Sequence, residues 1–193
     1  MLICLTGQSG VGKTTALKYL NSLGANTFEM DKYIHQIYQR GMIGYKLILK
    51  HFGKEYVDSK KVDRKKLGRL VFTNKKMLMK LNKIMFPIMQ KKLVELQQNR
   101  TNTIVEFALF LEHNLIFKKY FKYVILIRAK KSLKNNNFLK KFSYVINFPT
   151  LDVGNIKNPI KNSKIKTNFI VDNFSDLKVF KKELKKIFLF LNL

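Results

Sequence analysis

The sequence feature that most constrains this chain is a glycine-rich octapeptide at residues 7–14, GQSGVGKT. It fits the pattern G-x-x-x-x-G-K-[ST], which cradles phosphate groups when a strand precedes it and a helix follows it. The sequence predicts both neighbours, because residues 2–6 form a short continuous apolar run, and Ala16, Leu17 and Leu20 recur at helical spacing. The chain is therefore expected to bind a nucleoside triphosphate at this loop.

The residue types of the loop explain how it would hold phosphate. Glycines let the backbone curl so that successive N–H groups and the helix N-terminus point at an anion. Lys13 is expected to reach the β- and γ-phosphates and act in catalysis, the Thr14 hydroxyl to ligate Mg²⁺, and Thr15 to lie near the α-phosphate. The expected nucleotide-binding residues of the loop are Gly10, Val11, Gly12, Lys13, Thr14 and Thr15.

The rest of the chain predicts a parallel α/β sheet with additions. Four further short apolar runs are typical of buried strands, at residues 26–30, 103–109, 123–127 and 168–172. Residues 32–100 carry apolar side chains at three- and four-residue spacing, which predicts helices, and Pro87 is expected to break or start one of them. Residues 130–165 are polar and rich in Lys and Asn, whereas residues 175–191 predict a final amphipathic helix.

This order of segments predicts a three-layer α/β fold of the P-loop kinase type, with a five-stranded parallel sheet. The expected parts are a nucleotide-binding core of residues 1–31, 101–129 and 166–193, a helical acceptor-binding lobe of residues 32–100, and a lid of residues 130–165. In small-molecule kinases such an insertion holds the acceptor, and the lid closes over ATP to exclude water.

Other classes of phosphate-loop protein fit the sequence less well. A switch GTPase would need an N-K-x-D motif, but the Asn-Lys pairs at residues 74–75 and 82–83 are followed by Met where the Asp should stand. A motor or transporter ATPase would normally be longer. At this point the residues indicate a small-molecule kinase, with nucleoside and nucleotide kinases left open.

Asp31 is the most informative carboxylate outside the loop, because it follows the second predicted strand. Ligands of open α/β folds bind at the carboxyl ends of the strands, so a carboxylate there can orient an acceptor hydroxyl or accept its proton. Asp31 also precedes a helical pattern, and an N-cap is the structural alternative. Both roles can coexist.

An ordered set of short motifs runs through nearly the whole chain. It comprises LTGQSGVGKTT at residues 5–15, LGA at 23–25, EMDKYIH at 29–35, FG at 52–53, DRKKL at 63–67 with VF at 71–72, ALFLE at 108–112 and VDN at 171–173. In this order the motifs resemble those of the dephospho-coenzyme A kinases. The phosphate loop alone is shared by many proteins, so the resemblance depends on the whole set.

The resemblance implies transfer of the γ-phosphate of ATP to the ribose 3′-hydroxyl of dephospho-coenzyme A (dephospho-CoA), the last step of CoA biosynthesis, with Mg²⁺ as a cofactor. Asp31 matches the base position and Asn173 would lie near the adenine of ATP. The substrate-binding residues that it implies are Asp31, His35, Arg64 and Glu112. Packing remains an alternative role for His35, and helix capping for Glu112.

The sequence departs from the family pattern at several positions. Glu29 replaces an Asp, Phe86 stands where a His precedes Pro, and Ala108 replaces a Pro. The family lid carries arginines, which would neutralise the transferring phosphate, but no Arg follows Arg128 in this sequence. The lysines available instead are Lys130, Lys131, Lys134, Lys140 and Lys141. Because Lys supplies charge without a bidentate fork, slower turnover is expected.

The chain is strongly basic, with 38 Lys or Arg residues against 12 Asp or Glu and a formal charge of +26. Such a charge suggests nucleic acid as a partner, and the alternative from another class is a basic phosphate-loop protein that binds nucleic acid and whose kinase site is degenerate. However, the excess is spread along the chain and consists almost entirely of Lys, whereas Arg is the better fork for phosphates and base edges. A dedicated nucleic-acid partner is therefore not expected.

The single cysteine and the short apolar stretches indicate the cellular compartment of the protein. A single Cys4 excludes a disulfide scaffold and fits a reducing compartment. The apolar stretches are short or interrupted by charge, so no membrane span is expected, and residues 1–5 pass directly into the loop, unlike a signal peptide. We expect a cytoplasmic monomer whose partner is the small-molecule substrate.

Overall fold

The computed structural model describes residues 1–129, 169–174 and 176–193. The predicted lid, residues 130–165, lies outside the described residues, as do all five lysines that would replace the family arginines. The described chain divides into two compact units. The first contains Met1–Met30 and residues 92–129 and 169–193 except 175, and the second is Asp31–Lys91. No helix in the described part of the chain is long and apolar enough to cross a membrane.

A five-stranded parallel sheet forms the centre of the first unit, in the order β2-β3-β1-β4-β5. Its strands are β1 (Leu2–Thr6), β2 (Asn26–Glu29), β3 (Thr103–Glu106), β4 (Tyr123–Ala129) and β5 (Phe169–Asn173). The predicted five-stranded parallel sheet is confirmed. Because all strands are parallel, their carboxyl ends lie at one edge, where the phosphate loop leaves β1.

Three helices belong wholly to the first unit: α1 (Lys13–Ser22), α6 (Asn114–Phe117) and α7 (Leu177–Phe190). Side chains of β1, β4 and β5 pack with α1 and α7 in one apolar cluster. Leu5, Leu20 and Leu184 are fully buried in it. This packing fixes the direction in which α1 leaves the loop, because interiors at such density tolerate little displacement.

The second unit is helical. It contains α3 (Ile43–Phe52) and α4 (Arg64–Thr73), almost all of α2 (Met30–Ile37), and most of α5 (Lys75–Gln98). Its buried side chains include Ile37, Ile48, Leu67 and Met85. These are the apolar positions that recur at three- and four-residue spacing in the sequence, as expected for helices with one buried face.

The prediction that Pro87 breaks or starts a helix is wrong, because α5 continues through it for 24 residues. Proline in a helix interior removes one hydrogen bond and costs about 3 kcal/mol. On the same helix Leu81, Met85, Met89 and Leu93 are buried, and each contributes about 1.5–3 kcal/mol. The sum of these contributions exceeds the local cost, so the helix persists.

The third predicted strand is shorter than expected. It ends at Glu106, and Ala108–Phe110 form a turn of 3-10 helix. Phe107, which precedes that turn, and Phe110, which is its last residue, are almost fully buried. An apolar run therefore continues past the strand end, which explains why the sequence pattern overestimates its length.

Candidate active site

Lys13 is the first residue of α1, and its ammonium group lies folded into the phosphate loop. The Lys13 Nζ donates hydrogen bonds to the carbonyl oxygens of Gly7 at 3.0 Å and Gln8 at 2.9 Å. The side chain is buried, with only 8% of its surface exposed. These two carbonyls fix the position of the Lys13 ammonium charge within the loop where phosphate oxygens would bind.

The loop requires glycine at Gly10 and Gly12, where φ is 76° and 102°. L-residues with side chains rarely adopt this left-handed region. At Gly12 a Cβ atom would also come within 2.6 Å of the Asn173 Nδ2. Both backbone geometry and close packing therefore exclude a side chain at this position.

Asn173, the last residue of β5, is joined to the loop. Its Nδ2 donates to the carbonyl oxygen of Val11 at 3.0 Å, and Val11 itself is buried. This bond joins the end of β5 to the phosphate loop and restrains the loop backbone at Val11. The sequence motif predicts that Asn173 belongs near the nucleotide, and the role at adenine stays a prediction.

Thr14 and Thr15 are exposed in the first turn of α1. Among the described residues no three His, Cys, Asp or Glu side chains are grouped as a metal site. Mg²⁺ in phosphoryl-transfer enzymes is usually held by one or two protein oxygens, with substrate phosphates and water completing its shell. An exposed hydroxyl beside the loop fits that coordination, so Thr14 can serve as a protein ligand.

Two further polar residues lie at the carboxyl edge: Arg128, which no sequence motif includes, and Asp172, which the VDN motif includes without indicating its partner. Arg128 and Asp172 are register partners in β4 and β5, and they form a bidentate ion pair at 2.6 and 2.8 Å. Such a fork fixes both side chains. Only the pairing of β4 with β5 could have indicated it, since 44 positions separate the two residues.

In the second unit, Asp31 is the second residue of α2 and lies exposed in its first turn. A carboxylate in this position interacts favourably with the positive end of the helix dipole. It lies inside the helix, whereas an N-cap would precede it. His35 follows one turn later, on the same side of α2.

His35, Tyr38 and Arg64 line an apolar pocket in the second unit, together with side chains such as Ile34, Leu67 and Val71. Burial and, to a smaller extent, Arg64 lower the pKa of His35 to about 4. His35 is therefore neutral at physiological pH. Burial also lowers the pKa of Arg64, while Tyr38 and then Asp31 raise it. An Arg remains charged despite such a shift.

Arg64 is placed by the start of α4, whose N-cap is Asp63. The Asp63 Oδ1 accepts a hydrogen bond from the Lys66 N–H at 3.0 Å. This is the usual way in which an Asp satisfies one unpaired N–H at a helix start. The DR pair of the sequence motif therefore has two parts: Asp63 fixes the helix start and Arg64 is the first residue of that helix.

Glu112 belongs to the first unit and lies beyond the 3-10 turn, six residues after the end of β3. Desolvation raises the pKa of its carboxyl group. His113 is the N-cap residue of α6 without a side-chain hydrogen bond to that helix. The structure thus places Glu112 outside α6, and its expected contact with substrate stays a prediction.

The family model described as dephospho-CoA kinase (CoaE) matches residues 1–144 of the chain. Dephospho-CoA kinase of Mycoplasma genitalium is 35% identical over 166 residues, which cover 82% of this chain and 84% of that protein. Among solved structures, dephospho-CoA kinase from Campylobacter jejuni aligns with a TM-score of 0.68 and 25% identity, over 98% of this chain and 96% of the other. TT1252 from Thermus thermophilus has the same fold, with a TM-score of 0.77 and 19% identity over 100% of this chain and 98% of that one.

Proposed function

The chain belongs to the dephospho-CoA kinase family, and we propose that its own residues carry out that reaction as follows. The enzyme transfers the γ-phosphate of ATP to the ribose 3′-hydroxyl of dephospho-CoA, giving CoA and ADP. The family match supports the choice of acceptor, and the observation that most supports ATP-dependent phosphoryl transfer is the loop geometry, in which Lys13 is buried and held by two carbonyls of its own loop. A cation fixed at this place can stabilise charge on the transferring phosphate.

The first step is the binding of ATP at the loop. Backbone N–H groups of residues 10–15 surround the β-phosphate, and Lys13 neutralises charge on the β- and γ-phosphates. Asn173 holds the loop in this shape through the Val11 carbonyl and lies near the adenine. Thr14 would be the protein ligand for Mg²⁺, and the ion would supply positive charge beside the two terminal phosphates.

The second step is transfer to the acceptor. The 3′-oxygen of the ribose forms a bond to the γ-phosphorus, while the bond from that phosphorus to the β–γ bridging oxygen breaks. The electron pair of the broken bond leaves with ADP, and the carboxylate of Asp31 accepts the proton of the hydroxyl. Asp31 suits this role because it is an exposed carboxylate that follows β2 at the start of α2.

The helical residues 32–100 form the acceptor lobe in this proposal, with residues 1–31, 101–129 and 166–193 as the nucleotide core and residues 130–165 as the lid. His35 and Arg64 contact the acceptor from α2 and α4, and Glu112 does so from the loop after β3. His35 acts as a neutral hydrogen-bonding group, because its pKa is about 4. The lone Cys4 is buried, which is consistent with a cytoplasmic enzyme.

The test of this function is an ADP-release assay run in parallel with dephospho-CoA, nucleosides and nucleoside monophosphates. We expect turnover with dephospho-CoA and at most background rates with the others. Turnover confined to nucleosides would show that the lobe accepts a different substrate. Binding to random duplex DNA that weakens with salt, without any kinase turnover, would instead indicate a nucleic-acid-binding protein.

A further inference from the structure

The side chain of Arg128 contacts both residues that flank Asn173 at the end of β5. Its Nε and Nη2 donate hydrogen bonds to the two carboxylate oxygens of Asp172 at 2.6 and 2.8 Å. Its guanidinium carbon also lies 5.9 Å from the centre of the Phe174 ring, which is within the range of a cation–π contact. A single side chain of β4 therefore holds β5 on either side of Asn173.

This contact lies where β5 has little other support. The strand is at the end of the described sheet, so within that part of the chain it pairs with β4 alone. The ends of such elements open at low free-energy cost. The side chains of Arg128 and Asp172 are 37% and 39% exposed. Among ion pairs so exposed, a bidentate arginine–carboxylate fork is the geometry that contributes measurably to order.

Asn173, in turn, is joined to the phosphate loop. Its Nδ2 donates to the Val11 carbonyl at 3.0 Å, and the same nitrogen fills the space beside Gly12 where a Cβ atom would come within 2.6 Å of it. A displaced Asn173 would lose this hydrogen bond and leave that space unfilled. The position of one side chain at the end of β5 therefore affects the backbone that is expected to bind phosphate.

We propose that Arg128 is a positioning residue for ATP binding. Through Asp172 and Phe174 it fixes Asn173, and Asn173 fixes the backbone of the phosphate loop at Val11. This inference rests on the proposed function, because it takes the loop as the ATP site. It requires no contact between Arg128 and the nucleotide, since two of the guanidinium nitrogens are bonded to Asp172. A loop held in its binding shape has a smaller ordering cost, so the effect appears in ATP affinity.

Charge is the competing explanation. Removing Arg128 alone leaves the Asp172 carboxylate unpaired at the carboxyl edge, where it would repel ATP. The double variant Arg128→Met/Asp172→Asn separates the two explanations, because it removes the fork while the pair remains electrically neutral. Positioning predicts weak ATP binding in this variant. Charge repulsion predicts that the variant binds ATP like the unaltered enzyme.

The test measures the binding of ATP and of inorganic tripolyphosphate by titration calorimetry. We expect the double variant to raise the Kd of both ligands about 3- to 10-fold, as loss of a partly exposed but well-aligned ion pair implies. KM for dephospho-CoA should stay the same, because none of these residues belongs to the acceptor lobe. Lys186→Met is the matched control, since it breaks an exposed ion pair with Glu183 on α7, and it should leave every constant unchanged.

A second comparison makes the same substitutions in a chain that lacks the Asn173 side chain. Asn173→Ala should itself weaken binding of both ligands, and the double substitution should then cause no further loss, because residues that act through one another are not additive. A purely structural ion pair would instead lower the urea midpoint equally in both backgrounds without this dependence. If the double variant fails to fold, Arg128→Lys keeps the charge without the fork and should show an intermediate loss.

Three outcomes would overturn the inference. They are unchanged binding of both ligands, a loss of the full size in the Asn173→Ala chain, and a loss confined to ATP, which would place Arg128 at the base. Calorimetry needs no acceptor. A chain that shows the expected ATP effects but does not phosphorylate dephospho-CoA would therefore refute the proposed function alone.

Discussion

Gly12 carries two constraints at one position: a φ of 102° and the close approach of Asn173. The octapeptide pattern predicts the glycine, because local backbone geometry depends on residue type. It could not predict which side chain fills the space beside it, since 162 positions separate Asn173 from Val11. The same holds for Lys13. The octapeptide pattern predicts that a lysine stands at this position, but only the folded loop shows which two carbonyls it binds.

A prediction for a single residue concerns the substitution Asp31→Asn. Asparagine keeps the size of the side chain but cannot accept the hydroxyl proton, so kcat with dephospho-CoA should fall at least ~100-fold. ATP affinity, measured by titration calorimetry, should stay the same. Asp58→Asn is the control, because Asp58 is an exposed carboxylate that bonds the N–H groups of Lys60 and Lys61 in a turn. Unchanged kcat in Asp31→Asn would leave Asp31 a purely structural residue of α2.

At the scale of elements, the sequence predicts what local periodicity controls. Helices occur where the sequence predicts them, after the loop, within residues 32–100 and near residues 175–191, and all five strands occur close to their expected positions, since each element has one buried face or a continuous apolar run. Two elements differ because tertiary packing outweighs local preference. The α5 helix passes through Pro87 while its buried side chains hold it, and β3 ends before the apolar residues Phe107 and Phe110.

The N-cap of α4 provides a prediction about the stability of that helix. Asp63→Ala removes the side chain that accepts from the Lys66 N–H, and loss of such a cap costs about 1 kcal/mol of stability. Urea denaturation should show a lower midpoint, and KM for dephospho-CoA should rise because Arg64 is the next residue. Asp63→Asn, which also caps, should restore both.

The matched control for that experiment is Asp176→Ala. Asp176 caps α7 through the Lys178 N–H, far along the chain from the acceptor residues. This variant should lose similar stability without any change in KM for dephospho-CoA. If both Ala variants changed KM equally, the cap at Asp63 would have no special relation to the acceptor.

For the whole molecule, part of the net charge of +26 can be explained by anionic substrates without a nucleic-acid partner. ATP and dephospho-CoA are both polyanions, and two of the basic residues, Lys13 and Arg64, are proposed to bind them. In this proposal the scarcity of Arg matters more than the total charge, because the lysines predicted to serve in the lid would lack the bidentate fork of an arginine. The order of the predicted elements alone indicates that residues 1–31, 101–129 and 166–193 contribute to one sheet, because parallel strand–helix–strand connections allow few topologies.

The most direct test of the account is the identity of the product formed from ATP and dephospho-CoA by the purified chain. We predict equal amounts of ADP and CoA, with a new phosphate on the ribose 3′-oxygen, detected by phosphorus NMR and mass spectrometry. The Lys13→Ala variant should form neither product. Absence of ADP formation above background, or phosphate attached at another position, would contradict the central claim.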